Sequence, residues 1–567
     1  MRRPSVPAAL LAASAVVAVF ACSLVVGGGG SPLGSAAKPG LGLDARTGVQ
    51  RDGVGVDGVG DESAGGFFEA SATTASFAAS LADRVSVVVQ KRGHKTVRDS
   101  IGVWDAATGR RLYMRHADRP RRTASVMKLA TTVAALLALG PDHEMAIDVR
   151  AMATPRSGVI DGDLIVEGTG DPGLSSHLDD GGADAAIARL AHAVRASGVT
   201  RVTGDLILDT SAFAGDARHP GWGWKPGDYS WYMASVSALT IADGCVDVTA
   251  APGASDGAPT RLTTVPAAAP VTFVNRLTTT TQKKKHLVAF DRPDAEGRIP
   301  ARGKVYQEYS VPLACADPPE VFGAAFRRAL SDAGIVVAGK TRIVRGPPAA
   351  PWPRAADRPG VVLARHATRL ADAIRITNHK SQNLWAELIL RSVGAFSDVG
   401  VRRGDGSFAG GARAVRAILW PDGNAPAGFS QEDGSGLSRG NRATVGALAD
   451  VLLRVYRSDH RLVFMDSLAK GGEPDGTLRK RFRDKRFAGR VLAKTGTLRD
   501  TSALAGFVRV GGALGGGALG GGALGGGGAG GVAAGTGRVL IFVILCEGPV
   551  GRSRVLQDAV VGALLKG

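Results

Sequence analysis

"RRTASVMKLATTVAALLALG", residues 121–140, places Ser125 and Lys128 one helical turn apart at the head of an almost wholly apolar run. The run predicts a buried helix. An ammonium group at its mouth is costly unless partners are supplied or the amine gives up its proton. At i and i+3 both side chains leave the same helix face. The free N–H groups and positive dipole end of a helix start suit an oxyanion. A serine hydroxyl becomes a useful nucleophile when a nearby base takes its proton, and a desolvated neutral lysine can be that base. Alone, SxxK is a frequent coincidence, read equally well as a polar first turn facing solvent.

Two distant stretches complement the pair. In "SQN", residues 381–383, an extended turn aims residues i and i+2 to one side, so the Ser381 hydroxyl and the Asn383 amide point together. Ser381 is expected to pass a proton between Lys128 and a leaving group, and Asn383 to hold a substrate carbonyl. An ordinary helix cap uses the same letters. In "KTGT", residues 494–497 on a predicted strand, period two puts Thr495 and Thr497 on one face, suited to a carboxylate and an oxyanion. Gly496 removes a side chain where a neighbouring element has to come close. Lys494 is expected to supply positive charge for a carboxylate and, by like-charge repulsion, to help keep Lys128 neutral.

A Ser/Lys helix start, then Ser-x-Asn before a helix, then Lys-Thr-Gly on a strand is the signature of penicillin-binding proteins and serine β-lactamases. The chain resembles in particular the class C low-molecular-mass penicillin-binding proteins, the D-alanyl-D-alanine carboxypeptidase/endopeptidase family. The resemblance covers about residues 76–567 and includes "SVMKLATTVAALLALGPDHE", "DGDLIVEGTGDPGL", "GDLILDTSAF", "YMASVSALTIADGCVDV", "EDGSGLSRGN" and "GGEPDGTLRKRF". The long interval from Lys128 to Ser381 fits it too, since that family inserts extra domains there. Class A β-lactamases keep the interval short and carry a glutamate-bearing loop that is not found here. Gln382 departs from the aspartate frequent at its position.

The resemblance implies an α+β fold: a serine β-lactamase/transpeptidase-like domain, with an antiparallel sheet and helices on both faces, interrupted by a large inserted α+β region. It implies acyl transfer without metal or organic cofactor. Ser125 would attack the carbonyl between two terminal D-alanines with Lys128 as base, and the Ser125 and Thr497 N–H groups would hold the oxyanion. Ser381 with Lys128 would protonate the leaving D-alanine, and water would release the acyl group. In the endopeptidase version the leaving amine belongs to a neighbouring cross-linked stem. The implied catalytic residues are Ser125, Lys128, Ser381 and Asn383, and the substrate-binding residues are Lys494, Thr495, Gly496 and Thr497. Peptidoglycan stem peptides are the implied partners, with β-lactams as covalent inhibitors. A non-catalytic wall-binding scaffold of the same fold, or a β-lactamase, remains the alternative.

Composition bounds the rest. The 567 residues are 44% hydrophobic and 21% charged, as in globular protein, and long enough for two or three domains. The net charge of +18 favours polyanionic surroundings, but aromatics are only 5%, which argues against nucleic acid. The match of "GTGDPG" (168–173) to a dinucleotide loop fails because Pro172 and a polar stretch replace the required helix start. "RKRFRDKR" (479–486) reads as a solvated face or a contact for anionic wall polymers.

Arg2, Arg3 and the apolar run 8–21 form a secretory signal, so residues 1–22 are expected to direct export to the periplasm or the outer face of the membrane. Lipidation at Cys22, cleavage after Ala21 and an uncleaved anchor are all open. Residues 23–75 read as a flexible tether, 76–150 and 361–567 as the two parts of the transpeptidase-like domain, and 151–360 as the insertion. The glycine repeat at 511–537 is expected to be a disordered loop joining two strands. Within the insertion, Asp184 is a candidate cap for a helix burying Ile187, Leu190, Ala191 and Val194. Asp317, Pro318, Glu320 and Gly334 mark the start and stop of another. No CxxC or HxxxH spacing suggests a metal site; Cys546 is expected to be a buried thiol, and Cys245 and Cys315 are open to pairing.

Overall fold

The computed structural model describes residues 64–225, 227–346, 360–397, 406–511 and 537–566, the side chains of 64–75 excepted. The signal region, Cys22 and all but the ends of the glycine repeat lie outside the described residues.

The string "RVLIFVILC" is apolar at nearly every position because its strand is covered on both faces. Arg538–Glu547 sits in a six-stranded sheet in the order 469–470, 491–498, 501–510, 538–547, 98–105, 111–115. Every neighbouring pair is antiparallel. Period two divides the side chains: Ile541, Val543 and Leu545 enter one core with the helices Lys128–Leu139, Leu370–His379, Asn383–Phe396 and Val445–Tyr456. Leu540, Phe542 and Ile544 enter a second core with Leu81, Val85 and Val89 of an N-terminal helix and Leu556, Val560 and Leu564 of the last helix, Val550–Leu564. The expected antiparallel sheet with helices on both faces is therefore present.

The N-terminal helix runs Ala64–Arg92, so residues 64–75 extend a helix rather than belonging to the expected tether. Leu81, Val85 and Val89 recur every fourth residue, and burying this stripe favours the helix over extended chain.

The insertion has its own core and a five-stranded sheet in the order 341–344, 206–209, 164–168, 144–151, 361–369. The near-identical openings "GDLIVEG" and "GDLILDT" pair with each other in parallel, Leu164 opposite Leu206 and Val166 opposite Leu208. Boundaries at 150/151 and 360/361 need correction. Glu144–Ala151 and Val361–Arg369 pair with each other in this sheet, so by strand pairing the insertion runs from 144 to 369. The helix Gly182–Ala196 buries Ile187, Leu190, Ala191 and Val194, but Asp184 lies in its first turn rather than at the cap and accepts from the Ala267 N–H. The other helix begins at Pro318 after Asp317 as expected, though the Asp317 carboxylate pairs with Arg345 instead of capping. Cys245 and Cys315 are free thiols, and burial pushes the Cys315 thiol up to about 12. Cys546 is buried, as expected.

Candidate active site

Ser125 lies on a 3-10 turn, Ala124–Met127, that leads directly into the helix beginning at Lys128. Ala124 holds a positive φ of 45°, a strained conformation for a residue with a Cβ, immediately before the serine. Two glycines let other segments close on this turn. A Cβ on Gly496 would lie 2.8 Å from the Thr123 carbonyl oxygen and 3.1 Å from the Ser125 nitrogen, and one on Gly436 would lie 1.9 Å from the Ala124 oxygen. The neighbour expected for Gly496 is thus the serine turn itself.

Lys128 is fully buried. Its Nζ lies 2.7 Å from Asn383 Oδ1, 2.8 Å from the Ser435 carbonyl oxygen and 3.2 Å from Ser125 Oγ. A neutral amine has two N–H donors and one lone pair. The two oxygens that can only accept take the two hydrogens, and the lone pair is left for the serine hydroxyl. Burial pushes Lys128 down to about 7, against the opposing pull of Glu387 and Asp433. The expected repulsion from Lys494 is not what shifts it; desolvation is.

Lys494 is also fully buried, and it donates to Ser381 Oγ at 2.7 Å and to the Thr495 carbonyl oxygen at 2.9 Å. Burial, and then the charge of Lys128, holds its amine well below the usual lysine range. Ser381 Oγ therefore meets Lys494, where the sequence pointed to Lys128. Ser381 has a φ of +65°, which aims its hydroxyl toward that strand. Asn383 opens its helix; beyond the bond from Lys128, its Nδ2 donates to the Tyr232 carbonyl oxygen at 2.9 Å. Its amide is thereby tied at both ends, with one N–H remaining for a substrate carbonyl.

Ser125, Ser381, Thr495 and Thr497 line one cavity of about 360 Å³, together with Thr477, Arg479, Lys480, Arg481 and Arg554. These residues come from three segments of the chain: Lys128 and Asn383 are 255 positions apart, and Ser381 and Lys494 are 113 apart.

Several residues at the site were given no role there by the sequence. Glu387, one turn beyond Asn383 and fully buried, accepts from the Gly434 and Ser435 N–H groups at 2.6 and 2.9 Å. Burial, with Asp433 nearby, pushes its carboxyl up. Asp433 accepts from Gly436 N, Ser438 N, Asn441 Nδ2 and Trp222 Nε1. The string "EDGSGLSRGN" thus builds the wall that offers Lys128 a carbonyl. Gln382 reaches His177 at 3.3 Å, and His177 in turn meets Asp243 at 3.2 Å. "RKRFRDKR" is no uniform solvated face: Arg481 pairs with Asp558, while Arg479 and Lys480 line the cavity.

An antiparallel sheet with a serine–lysine pair at the mouth of a buried helix, interrupted by a large insertion, defines a penicillin-binding-protein fold. It superimposes on the crystal structure of penicillin binding protein 4 from Haemophilus influenzae with a TM-score of 0.65 at 24% identity, covering 84% of this chain and 97% of that one. The chain belongs to the D-Ala-D-Ala carboxypeptidase 3 (S13) family, which it matches over residues 81–563. It is 32% identical over 443 residues to the D-alanyl-D-alanine carboxypeptidase of an Actinomadura species, covering 76% of this chain and 78% of that protein. It is 27% identical over 394 residues to the D-alanyl-D-alanine carboxypeptidase DacB of H. influenzae, covering 68% and 77%. Among the described residues no helix is long and apolar enough to cross a membrane.

Proposed function

We propose that the protein is an exported serine hydrolase that cleaves the terminal D-Ala–D-Ala bond, and D-Ala cross-links, of peptidoglycan through an acyl-enzyme on Ser125. The observation that carries this reading is the set of contacts around the buried Lys128 Nζ, whose hydrogens are drawn to Asn383 and Ser435 and whose remaining position meets Ser125 Oγ at 3.2 Å.

Lys128 accepts the Ser125 proton as Oγ bonds to the carbonyl carbon. The resulting oxyanion takes hydrogen bonds from the Ser125 and Thr497 N–H groups. Collapse breaks the C–N bond, and the departing amine receives the proton that Lys128 took from Ser125, relayed by the Ser381 hydroxyl that Lys494 holds at 2.7 Å. Water then attacks the ester and restores the Ser125 hydroxyl. Thr495 and Thr497 face the substrate carboxylate, and no metal or organic cofactor enters any step. β-Lactams present the same carbonyl beside a carboxylate and acylate Ser125; the solved complex of H. influenzae penicillin binding protein 4 with a β-lactam supports this. Arg2, Arg3 and the apolar run that follows support action outside the cytoplasmic membrane, with Cys22 a candidate lipid anchor.

Fluorescent penicillin should label the wild type, and intact-protein and peptide mass should place the label on Ser125. An unlabelled but folded protein would favour the scaffold reading, and rapid release of hydrolysed drug would favour a β-lactamase. Digesting purified muropeptide monomers and dimers and weighing the products measures the carboxypeptidase and endopeptidase shares.

A further inference from the structure

We propose that Arg554, on the last helix, is the residue that receives the free carboxylate of the substrate's leaving residue, acting with the Thr497 hydroxyl. This rests on the acyl-transfer reading above and adds to it the source of the positive charge.

A substrate that ends in a carboxylate needs a cation on the leaving-group side of Ser125. The sequence nominated Lys494. In the structure that amine is fully buried and directed to Ser381 Oγ and the Thr495 carbonyl oxygen. It serves the hydroxyl relay and does not project into the cavity, whose lining includes Thr495 and Thr497 but not Lys494. Arg481 lines the cavity too, but it is neutralised by Asp558 and bonded to Gln557. Arg479 turns back to the Gly476 carbonyl oxygen.

Arg554 differs from all three, and from Lys480, which also lines the cavity, in its hydrogen bond to a KTGT hydroxyl. Its Nη2 donates to Thr497 Oγ1 at 3.2 Å, and among the described residues no carboxylate lies within ion-pair distance of it. Its helix reaches the site because Leu556, Val560 and Leu564 anchor it on the sheet face opposite the catalytic helices. Ser553 and Gln557, one residue before and three after, are buried, and Gln557 Nε2 donates to Ser502 Oγ. The guanidinium is thus exposed at its tip and held at its base, beside the one exposed threonine of "KTGT". Guanidinium presents its N–H groups in a planar fork that matches a carboxylate, which a lysine in the same place would not.

The test compares one peptide ending in D-Ala-D-Ala as the free acid with the same peptide as its C-terminal amide, on wild type, R554A and R554K. Wild type should prefer the acid. R554A should lower kcat/KM for the acid by about 10- to 100-fold, as expected for a lost charge-assisted hydrogen bond at an exposed site, and narrow the acid-over-amide preference by nearly the same factor. R554K should recover part of the preference, and raising the salt concentration should weaken it in wild type but not in R554A. Equal losses on acid and amide, or an undiminished preference in R554A, overturn the assignment. The underlying reading is checked separately by penicillin adduct mass. If wild type forms no adduct on Ser125, the acyl-enzyme fails. If the adduct forms and R554A keeps its preference, only the role of Arg554 fails.

Discussion

The sheet-and-helix body and the inserted region reach the reaction in different ways. In the proposed mechanism the body contributes Ser125, Lys128, Ser381, Asn383, Lys494 and Thr497 from three of its segments. The insertion contributes supports: the Tyr232 carbonyl oxygen to Asn383, His177 to Gln382, Asp243 to Trp385 Nε1 and Trp222 Nε1 to Asp433. Bond making and breaking are therefore expected to depend on the body, and orientation of the Ser-x-Asn turn on the insertion. The size of each mutational effect should follow that division.

The largest effects belong to the body. Ser125→Ala should abolish penicillin labelling and reduce peptide cleavage by roughly 10⁴-fold or more, measured as kcat on D-Ala-D-Ala peptide. Lys128→Met should slow acylation by about 10²- to 10⁴-fold, the range for a lost general base. It should leave the protein folded at a modest cost in Tm, because an apolar side chain of similar length fills the space but leaves Asn383 Oδ1 and the Ser435 carbonyl without their donor. Normal acylation in Lys128→Met would remove the amine from the mechanism and break the comparison at its centre.

Next comes the contact between strand and serine turn. Gly496→Ala places a Cβ 2.8 Å from the Thr123 oxygen and 3.1 Å from the Ser125 nitrogen, so strand and turn must separate. Displacement on the ångström scale costs about 10²-fold in rate. The acylation rate constant should fall by that order while thermal unfolding shows a folded protein. A Tm collapse would show instead that the contact holds the body together.

The pH profile sharpens the account of Lys128. The base must be neutral, and the neutral fraction grows as pH rises through its pKa of about 7. Acylation should therefore climb below about pH 7 and level above it. Glu387 raises the lysine's pKa, so Glu387→Gln should move the midpoint to lower pH. A midpoint that stays in place would mean that the carboxyl at 387 is already protonated when the lysine titrates.

What was legible in the sequence follows the same division. The residues of SxxK, SxN and KTG could be read because the proposed chemistry needs those side chains, and the buried helix after Ser125 could be read because its run is almost wholly apolar. The environment could not be read. Nothing in the letters of Lys494 says that it is buried and turned onto Ser381, because burial is set by strands far away in the chain. Ser435 acts through a backbone carbonyl, which every residue possesses. Glu387 lies inside "SQNLWAELILRSVG" as the one acid of a largely apolar helix, a signal that marks a buried partner only once the 433–436 loop is seen beside it. The edges of the insertion were missed because Glu144–Ala151 and Val361–Arg369 are strands whose mutual pairing spans two hundred residues of intervening chain.

The smallest effect tests the insertion's share. His177 Nε2 has two neighbours, Asp243 Oδ2 at 3.2 Å and Gln382 Nε2 at 3.3 Å, and one ring nitrogen cannot donate to the first and accept from the second at once. Burial works to lower the histidine's pKa, but the hydrogen bond and charge of Asp243 outweigh it and hold the pKa above the ordinary value, with Asp247 adding to that pull and Lys380 opposing it. While protonated, His177 donates to Asp243 and leaves the Gln382 amide without it; once neutral, its lone pair can accept from Gln382. The turn that carries Ser381 and Asn383 is then tied to the insertion more firmly above that pKa than below. His177→Ala should cost between about 2- and 10-fold in peptide turnover, the worth of one hydrogen bond, and the loss should be greater at alkaline than at acidic pH. A loss as large as that of Gly496→Ala, or one independent of pH, would mean that the insertion does more than steady the turn.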